Sequence, residues 1–216
     1  MTTKSLPSAI AAAALFTSSV CAQTVNFAGS SPGLQPNDFE FALTGNGKVG
    51  QWEIVEDATA HGGRALAQVS ADRTDYRFPL AIYAPTVPSD IEATIRFKPI
   101  SGKVDRAGGV AVRLTDPNNY YLARANALEN NVHFYRVVGG RRQQLAGANT
   151  KVTSGEWHTL TLRAEKDRLS VSFDGKQLFT HTDRTFSSPG KVALWTKADS
   201  VTRFDELVIT PLGPGK

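Results

Sequence analysis

The chain has a single cysteine and a single methionine in 216 residues. After Phe16 it has no apolar run long enough to span a bilayer, so no second membrane segment is expected. The lone cysteine, Cys21, sits at the end of a leader-like start, so the exported remainder is expected to lack disulfide and thiol chemistry and to owe its stability to a packed core. Helical spacing of apolar residues (i, i+3, i+4) is not sustained over three turns anywhere, which argues against an α-helical or α/β fold. There is no His-x-x-x-His run and no cysteine pair, so zinc is not expected. Nor is there a basic stripe. The 24 Lys and Arg against 20 Asp and Glu give a net charge of +4, but the cations are scattered, with Arg141–Arg142 the one adjacent pair. A nucleic-acid partner would call for a concentrated stripe, so none is expected.

What is present begins with export. Met1–Pro7 is short and polar with one cation, Lys4; Ala9–Phe16 is apolar; Val20-Cys21-Ala22 fits a small-residue cleavage pattern. A signal peptide is expected over residues 1–22, with Gln23 as the mature N-terminus and a periplasmic or extracellular destination. Ser18-Ser19-Val20 is a poor lipobox, so Cys21 is read as leaving with the leader.

Beyond it, short β-rich runs are broken by Gly, Pro, Asn and Asp. Strands are expected over Ala65–Ser70, Asp90–Pro99, Val110–Leu114, Tyr120–Asn126, Val132–Val138, Gln143–Ala146, Trp157–Glu165, Arg168–Phe173, Lys176–Thr182, Val192–Thr196 and Arg203–Thr210. Asp174-Gly175 reads as a two-residue hairpin turn. Two antiparallel sheets packed face to face follow, as one all-β domain over residues 23–210 with a flexible Pro/Gly tail at 211–216.

Residues 108–138 carry the most functional information. Their strands alternate apolar side chains with Arg, Tyr, Asn and His. If Val110, Val112 and Leu114 face the core, Arg113 faces out. On the next two strands Arg124 and Asn126, then His133 and Tyr135, share that outer face. Trp195 and Lys197 join them from near the C-terminus, with Glu129 and Asp199 at the rim. Planar donors beside aromatic rings suit a sugar, whose hydroxyls need hydrogen bonds and whose C–H face needs a plane. The competing reading is a solvated outer sheet with ordinary cross-strand pairs, and Trp195 becomes a core residue if its parity is reversed.

Several segments resemble a known fold. Ala107-Gly108-Gly109-Val110-Ala111-Val112-Arg113 followed by Asp116-Pro117-Asn118-Asn119-Tyr120-Tyr121, Gly155-Glu156-Trp157-His158-Thr159-Leu160, Phe173-Asp174-Gly175-Lys176, Gly190-Lys191-Val192-Ala193-Leu194-Trp195 and Phe204-Asp205-Glu206-Leu207-Val208-Ile209 recur in this order in concanavalin A-like jelly rolls of exported bacterial proteins. Among these the chain most resembles the 3-keto-disaccharide hydrolases. The resemblance spans about residues 26–210 and rests chiefly on structural motifs. It implies a jelly-roll sandwich and an oligosaccharide or glycoside partner; a monomer is expected.

Catalysis has less behind it. Glycosidases set two carboxylates across the scissile bond; the family-16 enzymes of this fold carry Glu-x-Asp-x-x-Glu on one strand, and no such run occurs here. The adjacent Asp205 and Glu206 must point to opposite faces. For a 3-keto-glycoside one base would suffice, and the resemblance offers His133 or Glu129, with Arg113 or Arg124 stabilising an enolate oxygen. Domains of this fold often hold a structural calcium where the first and last strands meet; Asp38 and Asp205 are the candidate ligands. A structural or adhesive envelope domain without a small ligand is the third alternative.

Overall fold

The computed structural model describes residues 21–213. The leader expected over 1–22 therefore lies almost wholly outside the described residues. In chain order the strands are β1 (Gln23–Asn26), β2 (Phe39–Gly45), β3 (Trp52–Glu56), β4 (Arg64–Gln68), β5 (Arg77–Tyr83), β6 (Ile91–Ser101), β7 (Ala107–Asp116) and β8 (Asn119–Asn126). They continue as β9 (Asn131–Val138), β10 (Arg141–Asn149), β11 (His158–Glu165), β12 (Arg168–Phe173), β13 (Lys176–Thr182), β14 (Lys191–Trp195) and β15 (Val201–Pro211). The only helical turn among the described residues is a 3-10 turn at His61–Gly63. No helix there is long and apolar enough to cross a membrane.

The strands form two antiparallel sheets. The eight-stranded sheet runs β13-β12-β11-β6-β15-β4-β3, with β1 also paired to β15; the seven-stranded sheet runs β10-β9-β8-β7-β14-β5-β2. Alternation decides what lies between them. Ile91, Ala93, Ile95 and Phe97 of β6 are fully buried, and Ile95 sits opposite Leu160 on β11 and Leu207 on β15. Val110, Val112, Tyr121, Ala123, Phe134 and Leu194 of the other sheet complete this core. Each Val, Ile, Leu or Phe side chain among them contributes roughly 1.5–3 kcal/mol by leaving water. His158 belongs to it as well: its ring stacks on Phe173, while Nδ1 meets Asp174 at 2.8 Å.

A second apolar cluster lies on the outer face of the seven-stranded sheet. It contains Phe78, Leu80, Ala111, Tyr120, Leu122, Tyr135, Val137, Ala193 and Trp195. Gly109 makes room for it, since a Cβ there would lie 3.0 Å from Leu122 Cδ1 and 3.3 Å from Trp195 Cε3. That cluster is the floor on which the site is built.

The expected sandwich is present, and Arg168–Phe173 and Lys176–Thr182 are strands with those bounds. Four strands were not expected: β1, β2, β3 and β5. Of the tail expected over 211–216, Pro211 ends β15, paired with Ile91, and residues 214–216 lie outside the described residues.

Candidate functional site

On the outer face of the seven-stranded sheet, β8 and β9 pair Arg124 with His133 and Asn126 with Asn131. This register gathers the expected Arg124, Asn126, His133 and Tyr135 as alternation requires. Arg124 is almost fully buried. Its Nη2 donates to Asn131 Oδ1 at 2.6 Å and Glu129 Oε2 at 3.0 Å, and lies 3.1 Å from His133 Nδ1. A guanidinium has no acceptor, so His133 Nδ1 meets it as an acceptor with the ring proton on Nε2, the two hydrogens of Nη2 being shared among three acceptors. The Tyr135 hydroxyl is 3.0 Å from the same Nδ1. Burial, then the positive charges of Arg124 and Arg142, hold His133 below its ordinary pKa despite Glu129. The imidazole is thus neutral, with its basic nitrogen already engaged.

A second string of charges adjoins the first. Asn126 Nδ2 donates to Asp105 Oδ1 at 2.9 Å, and Lys197 Nζ lies 2.7 Å from Asp105 Oδ2. Burial pushes the Asp105 carboxyl up, against the pull of Lys197 and Arg124. Glu129 goes the other way: burial opposes ionisation, but the charge of Arg124 and bonds from Asn131 and Arg124 hold it below the usual range. The Asn126 side-chain oxygen also accepts from the Leu128 and Glu129 N–H groups, fixing the turn that carries Glu129.

The aromatic part departs from expectation. Trp195 does face outward, but it is fully buried, stacked on Phe78 with centroids 5.4 Å apart. Arg142 lies across this floor, its guanidinium 4.4 Å from the Tyr135 ring centroid, 4.9 Å from that of Phe78 and 5.9 Å from that of Trp195. The ring open to solvent is Tyr76, 60% exposed. It holds a positive φ of 53°, and its carbonyl accepts from Asn46 N–H at 2.9 Å. Asp75, Tyr76, Phe78, Arg142 and Lys197 line a hollow of about 200 Å³. Buried polar atoms on this face without a protein partner include Arg124 Nε and Arg142 Nη1. Tyr76, Arg142 and Asp105 escaped the sequence reading. The available signal was Tyr76 itself, an aromatic between Asp75 and Arg77 in a polar stretch.

Two expected ligand residues lie elsewhere in function or place. Arg113 adopts φ +50° where the β7–β8 register shifts, so the alternation that would have turned it outward is broken. Its donors go to the Ser89, Phe186 and Lys166 carbonyls at 2.7–2.9 Å and to Asp90 at 3.2 Å. Asp199 accepts from the Lys103, Val104 and Asp105 N–H groups at 2.8–3.0 Å, clamping the loop that carries Asp105.

Nor do the candidate calcium ligands converge. Asp205 is buried, bonded to Arg96 and accepting from His61 N–H at 2.8 Å. Asp38 is exposed and lines a separate hollow with Ser30, Leu34 and Asn37. Among the described residues no three His, Cys, Asp or Glu side chains group as a metal site would require.

The profile of a family described as "Galactocerebrosidase, C-terminal lectin domain" matches residues 94–212, more than half of the chain. The chain belongs to that lectin-domain family. The match runs from β6 through β15, and so includes Asp105, Arg124, His133, Arg142 and Lys197 but not Tyr76. Solved structures share the lectin domain's fold. A carbohydrate-binding module, CBM66 from Bacillus subtilis, superposes with a TM-score of 0.63 at 20% identity, covering 81% of this chain and 97% of its own. A Bacillus licheniformis beta-glucanase gives 0.59 at 13% identity, with 88% and 98% covered. Domain 4 of AbnA, a GH43 extracellular arabinanase from Geobacillus stearothermophilus solved in complex with arabinotriose, gives 0.54 at 15%, with 87% and 90% covered. At these identities the likeness establishes the jelly-roll fold. No curated protein matches the sequence.

Proposed function

We propose that this lectin-family domain binds a saccharide on the outer face of the seven-stranded sheet, over the hollow bounded by Tyr76, Arg142 and Lys197. The observation that carries the reading is an exposed tyrosine ring beside cationic donors whose positions are already fixed. Tyr76 offers a plane for the C–H face of a pyranose. Lys197 is held by Asp105, and Arg142 by the rings beneath it. Donors fixed before the ligand arrives lose little entropy on binding it. The names of the family and of the carbohydrate-binding neighbours point the same way.

Cleavage of a 3-keto-glycoside would require His133 or Glu129 to take up a proton, but His133 Nδ1 is engaged by Arg124 and Tyr135, and Glu129 Oε2 by Arg124 and Asn131. Binding is therefore the reading the geometry favours.

The test is a saccharide panel followed by NMR chemical-shift mapping on the 15N-labelled protein. Perturbations should centre on residues 75–78, 142 and 195–197, and Tyr76→Ala should weaken binding about five- to tenfold, as loss of one aromatic contact implies. Shifts confined to the Ser30–Asp38 hollow, or an unchanged affinity in Tyr76→Ala, would refute this placement.

A further inference from the structure

The edge strand β10 carries an imbalance of charge that the hollow beside Tyr76 does not explain. Arg141 pairs across the ladder with Val138, and Arg142 with Val137. Val137 belongs to the outer apolar cluster, so Arg142 lies on the outer face and Arg141 turns to the other side of the same strand. There a hollow of about 480 Å³ is lined by Arg136, Val138, Arg141, Arg142, Gln143 and Thr185. No carboxylate is among these residues. Arg136 is already committed: it bonds to Asp183 at 2.8 Å, Thr185 at 2.7 Å and Gln143 at 2.7 Å. Arg141 and Arg142 are not, and neither has an ion-pair partner among the described residues. Arg142 also keeps a buried, unpartnered Nη1 while its plane is held against Tyr135 and Phe78. It is the one residue lining both hollows.

An unpaired guanidinium with a fixed plane is suited to a carboxylate or sulfate, which it can meet with two parallel N–H bonds. We propose that the ligand is an acidic oligosaccharide that crosses edge strand β10, with a sugar ring against Tyr76 and its oxyanion groups on Arg142 and Arg141. This rests on the saccharide reading and adds the charge class. The one acid bordering the smaller hollow is Asp75, and its Oδ1 accepts from Tyr76 N–H. A sugar ring fits that hollow better than an anion does, so the acidic groups fall to the strand edge.

The experiment is calorimetry on the full chain with matched pairs of probes. Trigalacturonate is compared with its fully methyl-esterified form, and a sulfated galactan oligosaccharide with its unsulfated parent. At low salt at least one acidic probe should bind about tenfold or more tightly than its neutral match, and the advantage should shrink as sodium chloride rises towards 1 M. The pair that shows it identifies carboxylate or sulfate as the group recognised. Arg141→Gln and Arg142→Gln should each cut the acidic affinity by roughly three- to tenfold. Arg141 is exposed, so its variant should keep the parent's melting curve and separates binding from folding. Equal affinity within both pairs overturns the acidic class while leaving a saccharide ligand standing, as does a preference that survives in both variants. Failure of every probe, neutral or acidic, overturns both readings.

Discussion

Replacing Asp199 by alanine separates a groove-lining role from a structural one. Its carboxylate, almost fully buried, accepts from three successive backbone N–H groups, those of Lys103, Val104 and Asp105. Lys103 and Val104 are exposed, so water can recover much of their bonding once the carboxylate is gone, leaving a loss of about 0.5–1 kcal/mol each. The Asp105 N–H is buried and would be left unsatisfied, costing about 1–3 kcal/mol. The sum, about 3 kcal/mol, should lower the melting temperature by roughly 6–12 °C in a domain of this size. Asp199→Asn keeps one acceptor oxygen and should lose about half as much. The pH dependence carries the same signature. Burial opposes ionisation of Asp199, but the backbone bonds outweigh it and hold the carboxyl below the ordinary 3.8. Its stabilisation is therefore fully present above the unfolded pKa and is lost as pH falls through the lower folded value. Alanine should flatten the acid limb of the stability curve. Melts recorded by circular dichroism from pH 2 to 7 read both effects. A variant melting within 1–2 °C of the parent at pH 7 would refute the clamp and return Asp199 to the rim.

Two further outcomes follow from the cluster on β9 and β10. His133 should titrate below 6.5 by 15N NMR with the proton on Nε2, since burial and Arg124 disfavour its cation. The stabilisation from the neutral ring should be present above about pH 6.5 and lost as pH falls below it; a pKa above 6.5 or an Nδ1–H signal would count against the assigned contacts. Gly147→Ala should place a Cβ 2.4 Å from His133 Cδ2, forcing the ring aside at a cost of roughly 1–3 kcal/mol. An unchanged melt together with unchanged His133 ring shifts would show that the ring does not rest there.

The period-two pattern made the regular parts of the fold legible. Ile91, Ala93, Ile95 and Phe97 had to share one face, and they fill the core between the sheets. The same rule placed Arg124, Asn126, His133 and Tyr135 together. It failed at Arg113, because a left-handed residue at a register shift leaves no trace in the hydrophobic alternation. β5 was missed because both of its faces are buried: all seven residues of Arg77–Tyr83 are covered, one face by the inter-sheet core and one by the outer cluster, so no alternation marks it. Trp195 was read with the right parity and the wrong accessibility. Accessibility depends on Arg142, which arrives from another strand.

Asp105 and Glu129 have environments that push their carboxyls in opposite directions, a pattern that in a hydrolase would mark an acid and a base. Here Asp105 has no exposed surface and is enclosed by Lys197 and Asn126. Glu129 is half exposed, but its oxygen is shared by Arg124 and Asn131. Each acid is paired with a cation: Asp105 with Lys197, Glu129 with Arg124. With Lys197 and Arg124 neutralised in this way, Arg142 has no counterion among the described residues, and it lies between the buried Trp195 and the exposed Tyr76. On the proposed reading such a surface recognises its ligand by charge and shape, with Arg142, which alternation alone does not mark, as the residue on which specificity would turn.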